Sequence, residues 1–367
     1  MLNRDTTKSV TVHQSIASPA DWAGPHLAPV AWRHALTPDA IAEVDAALAA
    51  FKASGKSMID AAGADFPLPT VGPIIRGHAA MAEHGLGFRV VTGIPVGDKT
   101  EADARLIAWG LGLHMGVALP QNAKADAILD VRDSGGESAK TLRGNHSSSE
   151  IHYHVDSADI VTLLCRRTAK AGGLSRLVSS LAIHNRMAEQ YPDLLAEMYR
   201  PVPFYKLARQ EDDPSPFFLC PVFGQRDGHF TSRYYRVRTL AAAKLPGAPP
   251  LTDGQRRALD VIHDLASDPA MYLEMAFGEG DLQIVSNHLI YHARTEFQDF
   301  EEPDRKRHLF RMWLATSTSR PLPAEFAAAY GNVEAATVRG GYQGWDFPET
   351  VGRYQARIAA ELGLALV

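Results

Sequence analysis

The chain has 367 residues, of which 46% are hydrophobic and 22% charged, and a formal net charge of −5. These are the proportions of an ordinary folded globular protein, so disorder is excluded as its main state, as is a sequence-wide basic footprint for nucleic acid or anionic lipid. The expected partner is a small molecule, with a homo-oligomer left open.

Two cysteines, Cys165 and Cys220, sit in apolar runs and read as reduced core thiols, not as a disulfide framework. The start "MLNRDTTKSVTVHQ" lacks the apolar core of a signal peptide, and no 18 apolar residues run together, so a cytoplasmic location away from membranes is expected. In chain order, Thr37 followed by Pro38 predicts a helix cap and first turn, with Gly55 as the stop. The apolar strand "FRVVTGIPV" follows, then a second helix, "KTEADARLIAWGLGLHMG", capped by Thr100 with acidic residues in its first turn. From about residue 150 short β-rich runs dominate: "DIVTLLCRR", "AGGLSRLVSS", "PFFLCPVFG", "GHFTSRYYRV", "MYLEMAF", "GEGDLQIVSN" and "RHLFRMWLAT". Such spacing favours a sandwich or closed β architecture over a parallel sheet. Helices interrupt it at "SLAIHNRMAEQYPDLLAEMY" and at "LTDGQRRALDVIHDLAS", where Thr252 is the cap, and another ends "GWDFPETVGRYQARIAAELG". The fold class is therefore mainly β with flanking helices, α+β.

Side chains alternate along a strand, so in "EIHYHVDSADI" His152, His154 and Asp156 point one way and Tyr153 and Val155 the other. Two histidines and a carboxylate with open positions form the facial triad of non-haem iron(II) oxygenases. His154-x-Asp156 is the one His-x-acid pair in the chain, and by itself it also fits a hydrogen-bonded pair at a strand edge. A second signal lies in "GDLQIVSNHLIYHARTEFQDFEEPDRKRHLFRMWLA". There Arg307, Leu309, Arg311 and Trp313 share one strand face, and His308, Phe310, Met312 and Leu314 the other. Two arginines among apolar neighbours are costly to bury unless each meets an anion, and a carboxylate-bearing ligand would supply one.

The motifs "HVD", "AGGLS", "SNHLIYHAR" and "RHLFR", in that order, resemble the taurine dioxygenase-like (TauD/TfdA) family of iron(II)- and 2-oxoglutarate-dependent oxygenases over about residues 85–320. The resemblance implies a double-stranded β-helix (jelly-roll) core there, with 1–84 as a helical N-terminal extension and 321–367 as a C-terminal one. It implies Fe(II) as cofactor, with 2-oxoglutarate and O2 as cosubstrates. His154, Asp156 and His292 then become the metal ligands; His288 rivals His292, but the family's histidine precedes the "AR" dipeptide. Arg307 takes the place of the arginine that grips the distal carboxylate of 2-oxoglutarate, assisted by Ser175 after the Gly-Gly turn. Arg311 matches a second arginine that reaches either cosubstrate or substrate. Asn122, in the segment that lines relatives' substrate pockets, and His152, facing the site by alternation, are the other substrate candidates.

Arg294 is expected to pair with Glu296 or Asp299, and His114 to pack or to line the substrate pocket. Arg233, Arg236 and Arg238 on "SRYYRVR" read as a solvated strand face, with contact to an anionic substrate as the alternative. His184, His263 and His308 are expected at the surface or in support of the site. The implied activity is oxidation, most often hydroxylation, of an unactivated C–H bond in a small polar or anionic molecule, yielding succinate and CO2. Desaturation, cyclisation and cleavage of a C–N, C–O or C–S bond share its start. Halogenation is disfavoured because the family's halogenases lack the acid that Asp156 supplies. A cupin-like metal protein that does not use 2-oxoglutarate would need the triad but not Arg307, and a non-catalytic binding protein is the third possibility.

Overall fold

A computed structural model describes residues 13–133, 147–206, 215–342 and 347–366. In chain order the strands of its two main sheets are β1 (Arg33–Ala35), β2 (Phe88–Thr92), β3 (Val117–Ala118), β4 (Ile128–Val131), β5 (Ile151–His154), β6 (Ile160–Arg167), β7 (Ser175–Ser179), β8 (Leu273–Met275), β9 (Leu282–Ser286), β10 (Ile290–Arg294) and β11 (His308–Ala315). The larger sheet runs β1-β2-β9-β6-β11-β3, with β4 also on β11, and the smaller runs β8-β7-β10-β5. From β4 onward the chain visits the large and small sheets alternately, with β7 and β8 consecutive in the small one across a long helical excursion. The pairings among β4 to β11 are all antiparallel. That is the winding of a double-stranded β-helix.

The alternation of side chains decides what faces the space between the sheets. Val161 and Leu163 of β6, Gln283 of β9 and Arg311 of β11 line an inter-sheet cavity. Their neighbours Leu164, Ile284, Phe310 and Met312 are buried on the other side, where the helix Glu101–Leu113 approaches so closely that a Cβ on Gly112 would collide with Met312. Both faces of the large sheet are covered, which is why "IVTLLC" and "LFRMWLA" read as nearly unbroken apolar runs.

The helix signals act as expected from their chemistry. Thr37 accepts the Ala40 amide with Pro38 in the first turn, and Gly55 ends the helix at φ 66°. Thr100 accepts from Asp103, and Thr252 forms a reciprocal capping box with Gln255. The stretch read as one helix around residue 190 is two, Ser180–Gln190 and Pro192–Met198, because Pro192 has no amide hydrogen to continue the ladder. The N-terminal region is not wholly helical: β1, too short to show alternation, lies parallel to β2 as an edge strand. "SRYYRVR" is not a strand face either. The hairpin Phe223–Arg226 with His229–Ser232, turning at Asp227-Gly228 with both φ values positive, stops at Ser232, and a helix starts at Arg236.

The C-terminal region is bolted on by buried ion pairs. Arg339 donates to Asp159 at 2.8 Å, Asp159 also meets His288 Nε2 at 3.1 Å, and Arg320 Nε donates to Glu83 at 2.6 Å. All five side chains are buried, so each charge depends on its partner. Arg339→Met should lower stability by about 3–5 kcal/mol in urea unfolding, and Asp159→Asn combined with it should cost less than the single change; equal stability of the single variant would refute the dependence.

Burial holds His78 and His184 at about 4, the latter between Tyr199 Oη (2.9 Å) and Asn185 (3.2 Å). Both folded-state values lie below the unfolded value of about 6.5, so as pH falls from there to about 4 the unfolded chain takes up protons that the folded chain refuses. The urea midpoint should therefore fall with pH across that window, and less steeply in His184→Gln. An identical slope in the variant would contradict the assignment.

Candidate active site

His154, the last residue of β5, pairs in register with His292 of β10. Their ring centroids are 4.3 Å apart. Asp156 lies just past the strand end, where the Asn287 side-chain carbonyl accepts its amide hydrogen at 2.9 Å. The ligand atoms of His154, Asp156 and His292 fall within 4.8 Å of one another, with carboxylate oxygens 3.9 Å from His154 Nε2 and 3.7 Å from His292 Nε2. The His154 Nδ1–H donates to the His152 carbonyl at 2.9 Å, which leaves the Nε2 lone pair free toward Asp156.

The electrostatics suit a cation. Burial alone would raise Asp156, but Arg311, 3.6 Å from its Oδ2, together with the two imidazoles holds it at about 2. Burial lowers His154, and burial followed by His154 lowers His292 to about 3. At neutral pH the donors are thus a carboxylate and two neutral imidazoles, the protonation state in which they bind a divalent metal. Asp156 Oδ2 is buried without a hydrogen bond, a cost that a coordinated ion would remove. These residues fit Fe(II). The rival His288 is already used, with Nε2 on Asp159 and Nδ1 against the Thr231 hydroxyl at 3.0 Å.

The inter-sheet cavity that His154 and His292 line is also lined by Ser175, Gln283, Arg294, Arg307 and Arg311. Arg307 is 4% exposed, its Nη1 has no hydrogen-bond partner among the described residues, and burial lowers it to about 10. Its guanidinium lies over Phe297 at 5.1 Å. It also passes Gly173, where an added Cβ would come within 3.1 Å of Nε and the backbone φ is 67°. Glycine is required there for both reasons. The Ser175 hydroxyl is 3.1 Å from Gln283 Nε2. A buried guanidinium nitrogen without an acceptor among the described residues, in a cavity that the Ser175 hydroxyl also lines, fits the far carboxylate of a dicarboxylic acid whose other end reaches the metal.

Arg311 is tied to the triad: its Nε donates to Gln121 Oε1 at 2.8 Å while its Nη1 approaches Asp156. Arg294 does not pair with Glu296 or Asp299. Its Nη2 donates to the carbonyls of Ser147, at 2.7 Å, and Ser149, while Asp299 accepts the Arg307 amide hydrogen. Burial and then Arg307 lower Arg294 to about 9. Asn122 is not brought to the cavity; its side chain closes the 122–126 turn, bonding Asp126 and the Lys124 amide. The His152 side chain is exposed, and only its carbonyl serves the site. His114 packs, with Nε2 2.7 Å from the Phe66 carbonyl. His184 and His308 are buried, the latter on Asp130 at 2.7 Å. That His308, Glu101 and Asp130 also lie within metal-binding reach of one another, but Arg105 and Arg132 already neutralise their carboxylates. Gln121, Gln283, Asn287 and Tyr235, whose ring is 4.9 Å from that of His154, went unseen in the sequence because nothing in their spacing marks them.

A jelly roll carrying this triad and an arginine-lined cavity defines a non-haem Fe(II)- and 2-oxoglutarate-dependent oxygenase. The chain belongs to the family described as taurine catabolism dioxygenase TauD, TfdA family, whose profile matches residues 49–313. It is 29% identical over 312 residues to FR-33289 synthase of Streptomyces rubellomurinus, covering 83% of this chain and 91% of the relative. It is 28% identical over 286 residues to the taurine hydroxylase-like protein SAT17 of Stachybotrys chartarum, covering 74% and 72%. Among solved structures, asparagine oxygenase with Fe(II), 2S,3S-3-hydroxyasparagine and succinate superposes with TM-score 0.58 at 19% identity, over 77% of this chain and 93% of that one. No helix among the described residues is long and apolar enough to cross a membrane.

Anaerobic loading with Fe(II) should give about one iron per chain, and His154→Ala, Asp156→Ala or His292→Ala should lower the affinity by on the order of 100-fold or more, since even partners behind a ligand are worth 10–100-fold. Asn122→Ala and His152→Ala should bind iron as the native chain does. Full iron content in a ligand variant would remove that residue from the set.

Proposed function

We propose that this chain hydroxylates an unactivated carbon of a small polar or anionic molecule, with His154, Asp156 and His292 holding Fe(II), Arg307 and Ser175 holding 2-oxoglutarate, and residues 1–84 and 321–367 as extensions of the catalytic unit. The observation that carries this reading is the unpartnered, buried Nη1 of Arg307 in the cavity that the triad lines. When bound, Fe(II) and 2-oxoglutarate supply the oxidising power, drawn from O2, with succinate and CO2 as coproducts.

The chain's own residues bind, orient and shield. Arg307 anchors one carboxylate and Ser175 can donate to it, so that 2-oxoglutarate lies along the cavity in one direction. Arg311, braced by Gln121, keeps Asp156 ionised and oriented. Val131, Val161, Leu163 and Phe277 form an apolar wall that limits water beside the metal. Hydroxylation is supported by the hydroxyasparagine in asparagine oxygenase and the (3S)-hydroxy-L-Arg in OrfP, another non-haem iron oxygenase of this fold. Those ligands also favour a substrate of amino-acid size.

Titration of 2-oxoglutarate into the Fe(II)-loaded chain without oxygen, followed by the visible absorption of the chelate, tests the assignment. Arg307→Ala should weaken 2-oxoglutarate by about 2–3 kcal/mol, roughly 30- to 150-fold, at unchanged iron content. Unchanged affinity would move the grip to Arg294 or Arg311, and an iron-loaded chain that never forms succinate from 2-oxoglutarate and O2 would overturn the oxygenase reading.

A further inference from the structure

A second, smaller pocket lies beside the metal site, lined by Val155, Phe204, Tyr205, Arg233, Tyr235 and Arg238. None of these residues lines the cavity that holds Arg307. The segment carrying its arginines runs alongside the metal-ligating one, since the Tyr234 carbonyl accepts the Val155 amide hydrogen at 3.0 Å. His154 stands between the two spaces. It lines the first and packs its ring against Tyr235 of the second, and Arg238 covers Tyr235 at 4.3 Å.

Arg233 is the unusual member. It is 7% exposed, and its guanidinium sits 5.3–5.6 Å from the ring centroids of Phe204, Phe218 and Tyr330. Nη2 donates to the hydroxyl of Ser157, the residue after Asp156, at 3.0 Å. Among the described residues Nε and Nη1 meet no acceptor in good hydrogen-bond geometry and no carboxylate pairs with the guanidinium; its one close polar neighbour besides Ser157 is the Tyr330 hydroxyl, whose ionisation it eases. Aromatic faces and a neutral phenol offset part of the cost of burying a cation, but they supply no counter-charge and leave donor capacity over. An anion of 2-oxoglutarate held at Arg307 cannot serve both places, because the two cavities share no wall residue.

Resting on the oxygenase reading above, we propose that this pocket receives the acidic group of the prime substrate, an oxyanion of carboxylate, sulfonate or phosphoryl type, with Arg233 as its ionic partner. The rest of the substrate then passes His154 to present a carbon to the metal. Arg233 is in this account a specificity-determining residue that makes no contact with 2-oxoglutarate.

The test uses the full chain loaded with Fe(II) and 2-oxoglutarate without oxygen, titrated calorimetrically with inorganic phosphate, sulfate or acetate. At least one anion should bind the native chain, and the strongest names the acidic group. Arg233→Met should weaken that anion by about tenfold or more, a difference of about 1.4 kcal/mol, and Arg233→Lys by less, while the 2-oxoglutarate titration stays within about twofold in both. If the methionine variant does not fold, the lysine variant decides: unchanged anion affinity there overturns the proposal. So does an absence of anion binding by the native chain, or a parallel loss of 2-oxoglutarate affinity, which would make Arg233 merely structural. Failure of the native chain to form the iron–2-oxoglutarate absorption would instead strike the oxygenase reading itself.

Discussion

The site depends on one register: His292 of β10 opposite His154 of β5 in the small sheet. Two histidines more than a hundred residues apart are brought together by this strand pairing, and a slip of one residue would turn His292 to the other face. The back of β10 resists that slip. Tyr291, fully buried, stacks on Tyr234 with centroids 4.7 Å apart and bonds the Ser232 hydroxyl. Asp156, beyond the strand end, would lack a fixed position without Asn287, whose own amide donates to the Asp159 carbonyl. Asp159 in turn is neutralised by Arg339 and His288. Asp156 is thus backed by a chain of contacts that runs into the C-terminal region.

Buried charge is of two kinds in this molecule. Glu83 with Arg320, and Asp159 with Arg339, are satisfied within the chain and serve to fasten it. Arg307, Arg294 and Arg233 keep donor nitrogens that meet no acceptor in good geometry among the described residues. Their positive field, in surroundings poor in water, favours anions near the His154, Asp156 and His292 cluster. An interior that tolerates such unpaired cations gains nothing in stability from them. Their burial makes sense once ligands are counted as part of the structure.

Much of this was legible in the sequence. Short β-rich runs bounded by turn chemistry located β6, β9 and β11, and side-chain alternation put Arg307 and Arg311 on a face apart from Phe310 and Met312. Caps at Thr37, Thr100 and Thr252 declared their helices. The motif order pointed to His154, Asp156 and His292, which the fold then brought within reach of one another. What stayed hidden was contact made by irregular backbone. Asn122 and Gln121 are adjacent, and a turn closed by Asn122 sends Gln121 to Arg311, which no spacing rule reports. Alternation also misled at His152, which lies within β5 two residues before His154 but at its exposed beginning, so sharing a face did not bring it to the cavity. In "SRYYRVR" the tyrosine–arginine alternation imitated a solvated strand, where the structure has a buried turn followed by a helix. Short edge strands such as β1 carry too few residues for any period to show.

X-ray absorption at the iron edge of the anaerobically loaded chain tests the centre of this account, because it counts imidazoles on the metal without relying on turnover. The account predicts two imidazole ligands with the remaining positions filled by oxygen, and one imidazole in either His154→Ala or His292→Ala. An iron environment with no imidazole, or one unchanged by both substitutions, would contradict it.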